Sequence, residues 1–133
     1  MGPAMAKAID AAGHAFRIAE VDAVAPGRAP GHWRMGRNDV ADEPEMRDLF
    51  GQVAADWGGL DTLRANAGFA GPTARVEDIA LSDWRSCLAV RLDSVFLTVR
   101  YAAPLMKPAG RGAIVLTSST AGHRADRDPQ PAP

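Results

Sequence analysis

Four polar side chains stand where short predicted β-strands end: Glu20, Asp39, Asn66 and Ser119. Their carboxylate, amide and hydroxyl groups all form hydrogen bonds. In an open sheet of parallel strands, ligands bind outside the carboxyl ends of the strands. We therefore predict that these four side chains, although far apart in the sequence, line one crevice.

The elements that must position these side chains alternate between strand and helix, with glycines in the turns, which predicts a doubly wound α/β sheet. The segment 112–117 is a short, apolar, β-branched run, which predicts a strand buried on both faces. Asp42 precedes an acidic first turn with an early proline, which predicts the start of a helix. Strands are predicted at 14–20, 32–38, 60–65 and 112–117, and helices at 4–12, 43–57 and 83–107.

Composition excludes several classes of protein. The chain of 133 residues is 47% hydrophobic, enough for one domain with a core, and its formal net charge is -1. No broad basic surface is available for nucleic acid or an anionic membrane. Cys87 is the only cysteine, so no internal disulfide or metal-binding thiol cluster is expected. Without a secretion signal or an apolar span, we expect a soluble, cytoplasmic, metal-free protein.

Three segments carry a specific resemblance through their order and spacing: Asp39-Val40, Asn66-Ala67-Gly68 and the stretch from Gly112 to Gly122. No single one of them is decisive, but together they resemble the short-chain dehydrogenase/reductase family over roughly residues 2–122. The resemblance implies a Rossmann-like doubly wound parallel sheet. It also implies an NAD(P)-dependent oxidoreductase that acts on an alcohol or ketone.

The resemblance assigns residues to the cofactor's phosphate and ribose. Gly2 matches the last glycine of the family's pyrophosphate loop at a helix N-terminus, or is a terminal residue without a role. Glu20 matches the acidic residue that accepts hydrogen bonds from both adenosine ribose hydroxyls. This implies NAD rather than NADP, because a carboxylate repels a 2'-phosphate and no Arg immediately follows it. Asp22 could share the role, and the alternative for Glu20 is a solvated surface carboxylate.

Further positions match the adenine site and the substrate site. Asp39 resembles the family's Asp that binds the adenine amino group beside the Val40 backbone, or else caps a helix near Asp42. The turn Asn66-Ala67-Gly68 resembles the one that packs against adenosine, or is purely structural. Ser119 matches the catalytic Ser that hydrogen-bonds the substrate carbonyl, although an isolated Ser at a strand end is usually a turn residue.

The pattern breaks at the proton chemistry. The family carries a Tyr and a Lys four residues apart on one helix, where the ammonium lowers the pKa of the phenol. Here Tyr101 is the only tyrosine, and the lysines are Lys7 and Lys107. Arg91 stands where the family has an Asn, and could instead pair with Asp93 or with a neighbouring chain. We therefore expect the chain alone to be catalytically incomplete.

The family's first strand, which lies between those at 14–20 and 60–65, has no counterpart. Either these two strands pair directly, or their facing backbone groups stay unpaired. We interpret the chain as a member truncated at both ends, with a partial dinucleotide-binding domain at 1–122 and a disordered Pro-rich tail at 123–133. The alternatives are a non-catalytic nucleotide-binding module, a homo-oligomer assembled through the helix at 83–107, or a non-functional gene fragment.

Overall fold

The computed structural model describes residues 2–21 and 30–119, which contain both helices and strands. The predicted α/β class with parallel strands is confirmed. Single 3-10 turns lie at Val76–Asp78 and Lys107–Ala109. The main elements are α1 (Gly2–Ala11), β1 (Arg17–Glu20), β2 (Arg34–Arg37), α2 (Glu43–Trp57), β3 (Thr62–Ala65), α3 (Leu81–Leu88), α4 (Ser94–Met106) and β4 (Ala113–Leu116).

Helix α2 begins and ends as the local sequence predicts. The Asp42 side chain accepts a hydrogen bond from the backbone N–H of Glu45 at 2.8 Å, which satisfies one of the free donors at the helix start. At the other end Gly58 adopts a left-handed φ of 71° and its N–H bonds the Ala54 carbonyl. The helix boundaries therefore depend on local chemistry alone.

The strands form two separate two-stranded sheets, called here the β1–β2 sheet and the β3–β4 sheet. Each pair is parallel over four residues, with Arg17 opposite Arg34 in one and Thr62 opposite Ala113 in the other. Within the described residues β1 and β3 are not paired. Of the two expected arrangements, direct pairing of these flanking strands is therefore not adopted.

The core lies between α2 and α4 and joins the two sheets. Its buried residues are Met46, Leu49 and Phe50 from α2, and Leu97 and Ala102 from α4. Apolar residues from both sheets, from the connecting segments and from α4 itself are partly buried against it. These are Ala19, Val40, Leu60, Leu63, Tyr101 and Leu105.

The prediction that the strand near 112–117 is buried on both faces is wrong. Ile114, Val115 and Leu116 of β4 are 40%, 44% and 51% exposed. The strand pairs with β3 on one side, but none of its four residues is buried by the described part of the chain. Apolar composition therefore predicted the strand correctly but not its surroundings.

The long helix predicted at 83–107 is divided into three parts. A π-helical turn at Ala89–Asp93 separates α3 from α4. Pro104 does not end the helix, which continues to Met106. The buried side of α4 carries Leu97, Thr98, Ala102 and Met106. Three apolar residues of the segment 83–107, Trp84, Leu92 and Phe96, are more than half exposed.

Two predicted features lie outside the residues that the structure describes. The tail at 123–133 and most of the loop that contains Asp22 lie outside residues 2–21 and 30–119. No helix within those two ranges has both the length and the apolar character needed to cross a bilayer.

Candidate functional site

The carboxyl end of the β1–β2 sheet brings Glu20 next to the segment that carries Asp39. The backbone N–H of Asn38 donates to the Glu20 carbonyl at 2.9 Å, so the chain beyond β2 is attached to the end of β1. The Glu20 carboxylate is exposed, and one of its oxygens accepts a hydrogen bond from the N–H of Val21 at 3.0 Å. An exposed carboxylate at a strand's carboxyl end is able to accept hydrogen bonds from ligand hydroxyls.

Asp39 lies in a turn that leads into α2. Its Oδ1 accepts a hydrogen bond from the N–H of Ala41 at 2.9 Å, while its own N–H donates to Glu45 Oε2 at 2.7 Å. The carboxylate therefore stabilises the turn before α2, and the helix cap itself is Asp42. Val40 is partly buried against the core, which holds the backbone beside Asp39 in place.

The carboxyl end of the β3–β4 sheet brings Asn66 next to Thr117. The hydroxyl of Thr117 donates to Asn66 Oδ1 at 3.1 Å, and its backbone N–H donates to the Ala65 carbonyl at 2.9 Å. Thr117 was not among the predicted site residues. Its place directly after an apolar strand was the only feature of the sequence that could have indicated it. Ser119 is exposed two residues further on, and Ala67 and Gly68 are exposed in the turn.

The predicted site residues thus form two groups, one at the end of each sheet. Glu20 and Asp39 belong to the first group, and Asn66 and Ser119 to the second. The two groups share a support, because Ala19 of β1 and Leu63 of β3 pack against the same core. No hydrogen bond links them within the described residues, so a single crevice shared by all four residues stays a prediction.

Arg91 and Tyr101, the residues at the break in the family pattern, both have structural partners. Arg91 lies in the π-helical turn, where its Nε donates to the Phe69 carbonyl at 3.0 Å and its Nη2 bonds the same oxygen. It forms no ion pair with Asp93 among the described residues, so it anchors the loop after β3 instead. The Tyr101 hydroxyl donates to Glu43 Oε1 at 2.9 Å.

The environment of Tyr101 opposes its use as an acid or base. The hydrogen bond to the Glu43 carboxylate raises the pKa of Tyr101 above its ordinary value of 10.0, and loss of solvent and the Glu43 charge act in the same direction. A general acid or base works best with a pKa near the working pH, which for a phenol requires the opposite shift. The Tyr101 hydroxyl thus connects α4 to Glu43 at the start of α2.

Two cavities occur among the described residues, one of them at the amino-terminal ends of β1 and β2. One of about 80 Å³ contains Asp10, whose pKa is lowered by hydrogen bonds from Trp33 and His32. Neither cavity is lined by Glu20, Asp39, Asn66 or Ser119. The larger, of about 280 Å³, lies beside Arg91 and is lined by Ala70, Gly71, Pro72, Thr73, Ile79, Trp84, Cys87 and Arg91.

Solved structures share this architecture. An aldohexose dehydrogenase from Thermoplasma acidophilum superposes with a TM-score of 0.85 over 96% of this chain and 48% of its own, at 20% identity, which shows the fold. An NAD+-bound xylitol dehydrogenase superposes with a TM-score of 0.67 over 72% of this chain and 37% of its own, at 28% identity.

Sequence comparison adds the family. The family model described as enoyl-(acyl carrier protein) reductase matches residues 1–131. The cis-4-hydroxycyclohexanecarboxylate dehydrogenase of Sinomonas cyclohexanicum is 36% identical over 128 residues, which cover 92% of this chain and 51% of that protein. The chain thus spans about half the length of this relative, and a smaller share, 31%, of a 3beta-hydroxysteroid dehydrogenase from Mediterraneibacter gnavus. The match across nearly the whole chain, together with the parallel α/β fold, shows that the chain belongs to the short-chain dehydrogenase/reductase family.

Proposed function

We propose that this chain is the nucleotide-binding part of an oxidoreductase that transfers hydride between NAD and an alcohol or ketone. The observation that carries the proposal is the position of Glu20 and Asn66, each at the carboxyl end of a parallel strand and each held by a hydrogen bond. Ligands of doubly wound sheets bind at these ends. The NAD+-bound relative supports a dinucleotide as the ligand.

The roles proposed for individual residues follow from the resemblance to the family. Glu20 accepts hydrogen bonds from the adenosine ribose hydroxyls, Asp39 with the Val40 backbone binds the adenine, and Asn66-Ala67-Gly68 packs against adenosine. Gly2 stands at the first position of α1, where free backbone N–H groups favour a phosphate. Ser119 orients the substrate carbonyl.

For the 133-residue chain by itself we expect nucleotide binding without turnover. The sequence contains no Tyr followed four residues later by Lys. Its one tyrosine, Tyr101, donates to Glu43, which raises the pKa of the phenol. The family's usual pair for proton transfer to or from the substrate is therefore absent from these 133 residues.

Binding is tested by calorimetric titration of the chain with NAD+ and with AMP. We expect saturable binding of both, and an affinity for NAD+ that falls about fivefold in Glu20→Ala, because one set of hydrogen bonds to a charged acceptor is lost. Asp61→Ala is the matched control, since Asp61 is an exposed carboxylate at the opposite end of β3. Absence of saturable binding, or equal effects of the two substitutions, contradicts the proposal.

A second function, assembly with another copy of the chain, is favoured by an apolar stripe on α3 and α4. Leu81, Trp84, Leu92 and Phe96 are each more than half exposed, with Leu88 partly buried among them. Their spacing of three or four residues places them along one side of the helical segment. Exposed apolar stripes of this kind commonly mark protein interfaces.

Light scattering coupled to gel filtration tests this assembly. Leu92→Lys is expected to weaken self-association at least about tenfold, because a charge would be buried at the centre of the stripe. Val76→Lys is the control, since Val76 is exposed but lies in the 3-10 turn before the stripe. If the chain stays monomeric at every concentration, the proposed assembly is contradicted. The proposed nucleotide binding is then still open to its own test.

A further inference from the structure

Strand pairing places a cation beside the carboxylate that the proposed function assigns to the ribose. In the parallel register of β1 and β2, Glu20 is the partner of Arg37. Register partners in adjacent parallel strands point to the same face of a sheet. Another pair of this sheet illustrates the rule, because Arg17 and its partner Arg34 both reach Asp56, each at 2.8 Å.

Glu20 and Arg37 also bond the backbone of the same residue, Val21. The N–H of Val21 donates to Glu20 Oε1 at 3.0 Å, and the Val21 carbonyl accepts a hydrogen bond from Arg37 Nε at 3.2 Å. Both side chains are exposed. Arg37 forms no ion pair with any described residue, and its only side-chain hydrogen bond in that part of the chain uses Nε. The two terminal amino groups of the guanidinium thus stay available.

We propose that Arg37 is a specificity-determining residue that allows the site to accept the 2'-phosphate of NADP. This inference rests on the proposed function, in which Glu20 binds the adenosine ribose. A carboxylate alone repels a phosphate at the 2' position, but a guanidinium in the adjacent strand position offers it paired donors and a positive charge. Discrimination between NAD and NADP then depends on the balance of Glu20 and Arg37.

The proximity of Arg37 to Glu20 could not be predicted from the sequence alone. Arg37 lies 17 residues beyond Glu20, so inspection of the positions directly after Glu20 finds no cation that would offset it. The parallel register removes that separation, since it makes the two residues immediate neighbours across the β1–β2 sheet.

The test compares dissociation constants of the 133-residue chain for NAD+ and NADP+ in four proteins: the unmodified chain, Arg37→Gln, Glu20→Gln and Arg111→Gln. We expect Arg37→Gln to weaken the binding of NADP+ about fivefold relative to that of NAD+. Glu20→Gln should strengthen the binding of NADP+ by a similar factor, as for exposed charge pairs. Arg111→Gln removes the same charge at the amino-terminal end of β4, where it should change neither ratio.

Salt and a conservative variant separate a charge effect from a structural one. In about 0.5 M NaCl the difference between unmodified chain and Arg37→Gln should shrink, because screening weakens exposed charge interactions. Arg37→Lys, which keeps the charge, should retain part of the NADP+ affinity. Circular dichroism of each variant confirms that the fold is kept.

The possible outcomes distinguish the two proposals. If NAD+ binds and Arg37→Gln changes both dissociation constants equally, or neither, the role of Arg37 is overturned and the proposed function stands. If the unmodified chain binds neither nucleotide, the proposed function fails and the role of Arg37 fails with it. A selective loss of NADP+ that salt diminishes supports the assignment.

Discussion

The β1–β2 and β3–β4 sheets are alike in pairing but opposite in environment. Each is a parallel pair of four-residue strands. The charged strand β1, with the sequence RIAE, is mostly half-buried, whereas the wholly apolar β4, with the sequence AIVL, is exposed along its length. Hydropathy alone would predict the opposite, with β4 buried and β1 exposed.

The difference arises from what contacts each sheet. In the β1–β2 sheet, Arg17 and Arg34 both bond Asp56 at the end of α2, and Arg17 also bonds Gln52. In the β3–β4 sheet, the corresponding polar contact at the strand entrance, Arg111 with Asp61, is long at 3.6 Å and lies on the surface. A strand is therefore buried by its neighbours, whatever its own composition.

The largest difference in stability between the two sheets should appear when the carboxylate that forms the ion pairs of each sheet is changed to an amide. Asp56→Asn should lower the free energy of unfolding by about 1 to 2 kcal/mol, because it leaves two guanidinium groups without their carboxylate. Arg17 is only 15% exposed and its Nε already has no hydrogen-bond partner among the described residues. Urea unfolding measures the change.

The matched control for that substitution is Asp61→Asn. Its partner Arg111 is 81% exposed, so we expect a change within about 0.5 kcal/mol. Equal losses in the free energy of unfolding for Asp56→Asn and Asp61→Asn would show that ion pairs stabilise the two sheets to the same extent.

A smaller difference is expected from the apolar side chains of the two sheets. Ile18→Thr should destabilise by about 1 kcal/mol, since Ile18 is partly buried and the hydroxyl would lose solvent. Val115→Thr in β4 should cost less than about 0.5 kcal/mol, because Val115 is already 44% exposed. Thermal unfolding of both variants compares them. A greater loss for Val115→Thr would indicate that β4 is covered in solution, for example by a second copy.

The smallest effect concerns pH and the attachment of α1 to the β1–β2 sheet. The Asp10 carboxylate accepts hydrogen bonds from Trp33 at 3.0 Å and His32 at 2.7 Å, which lower its pKa below 3.8. A lowered folded-state pKa adds stability above the unfolded value, and this stability is lost as pH falls through the folded value. Unfolding midpoints of the unmodified chain and Asp10→Asn should therefore differ above the ordinary pKa of 3.8 and converge as the pH falls below it. A constant difference across this range would contradict the assignment.

Local signals in the sequence were sufficient for the approximate position of most elements, but they did not predict the π-helical turn that divides the segment 83–107. Asp42 and Gly58 predicted the limits of α2, because a cap and a left-handed glycine act within one turn. The positions of Glu20 and Asn66 at strand ends followed from the alternation of apolar and polar residues. Hydrogen bonds between segments could not be predicted in this way, and Thr117 with Asn66 was accordingly missed.

By itself the sequence determined the family, the α/β class and the positions of Glu20 and Asn66 at strand ends, because these depend on motifs and on the period of each element. Only the tertiary structure decided which strands pair, that β4 is exposed, that Arg91 holds the Phe69 carbonyl, and that Arg37 stands beside Glu20. The physical reason is that burial and charge proximity are properties of contacts between distant segments. Those contacts arise when helices and strands pack, and no local pattern encodes them.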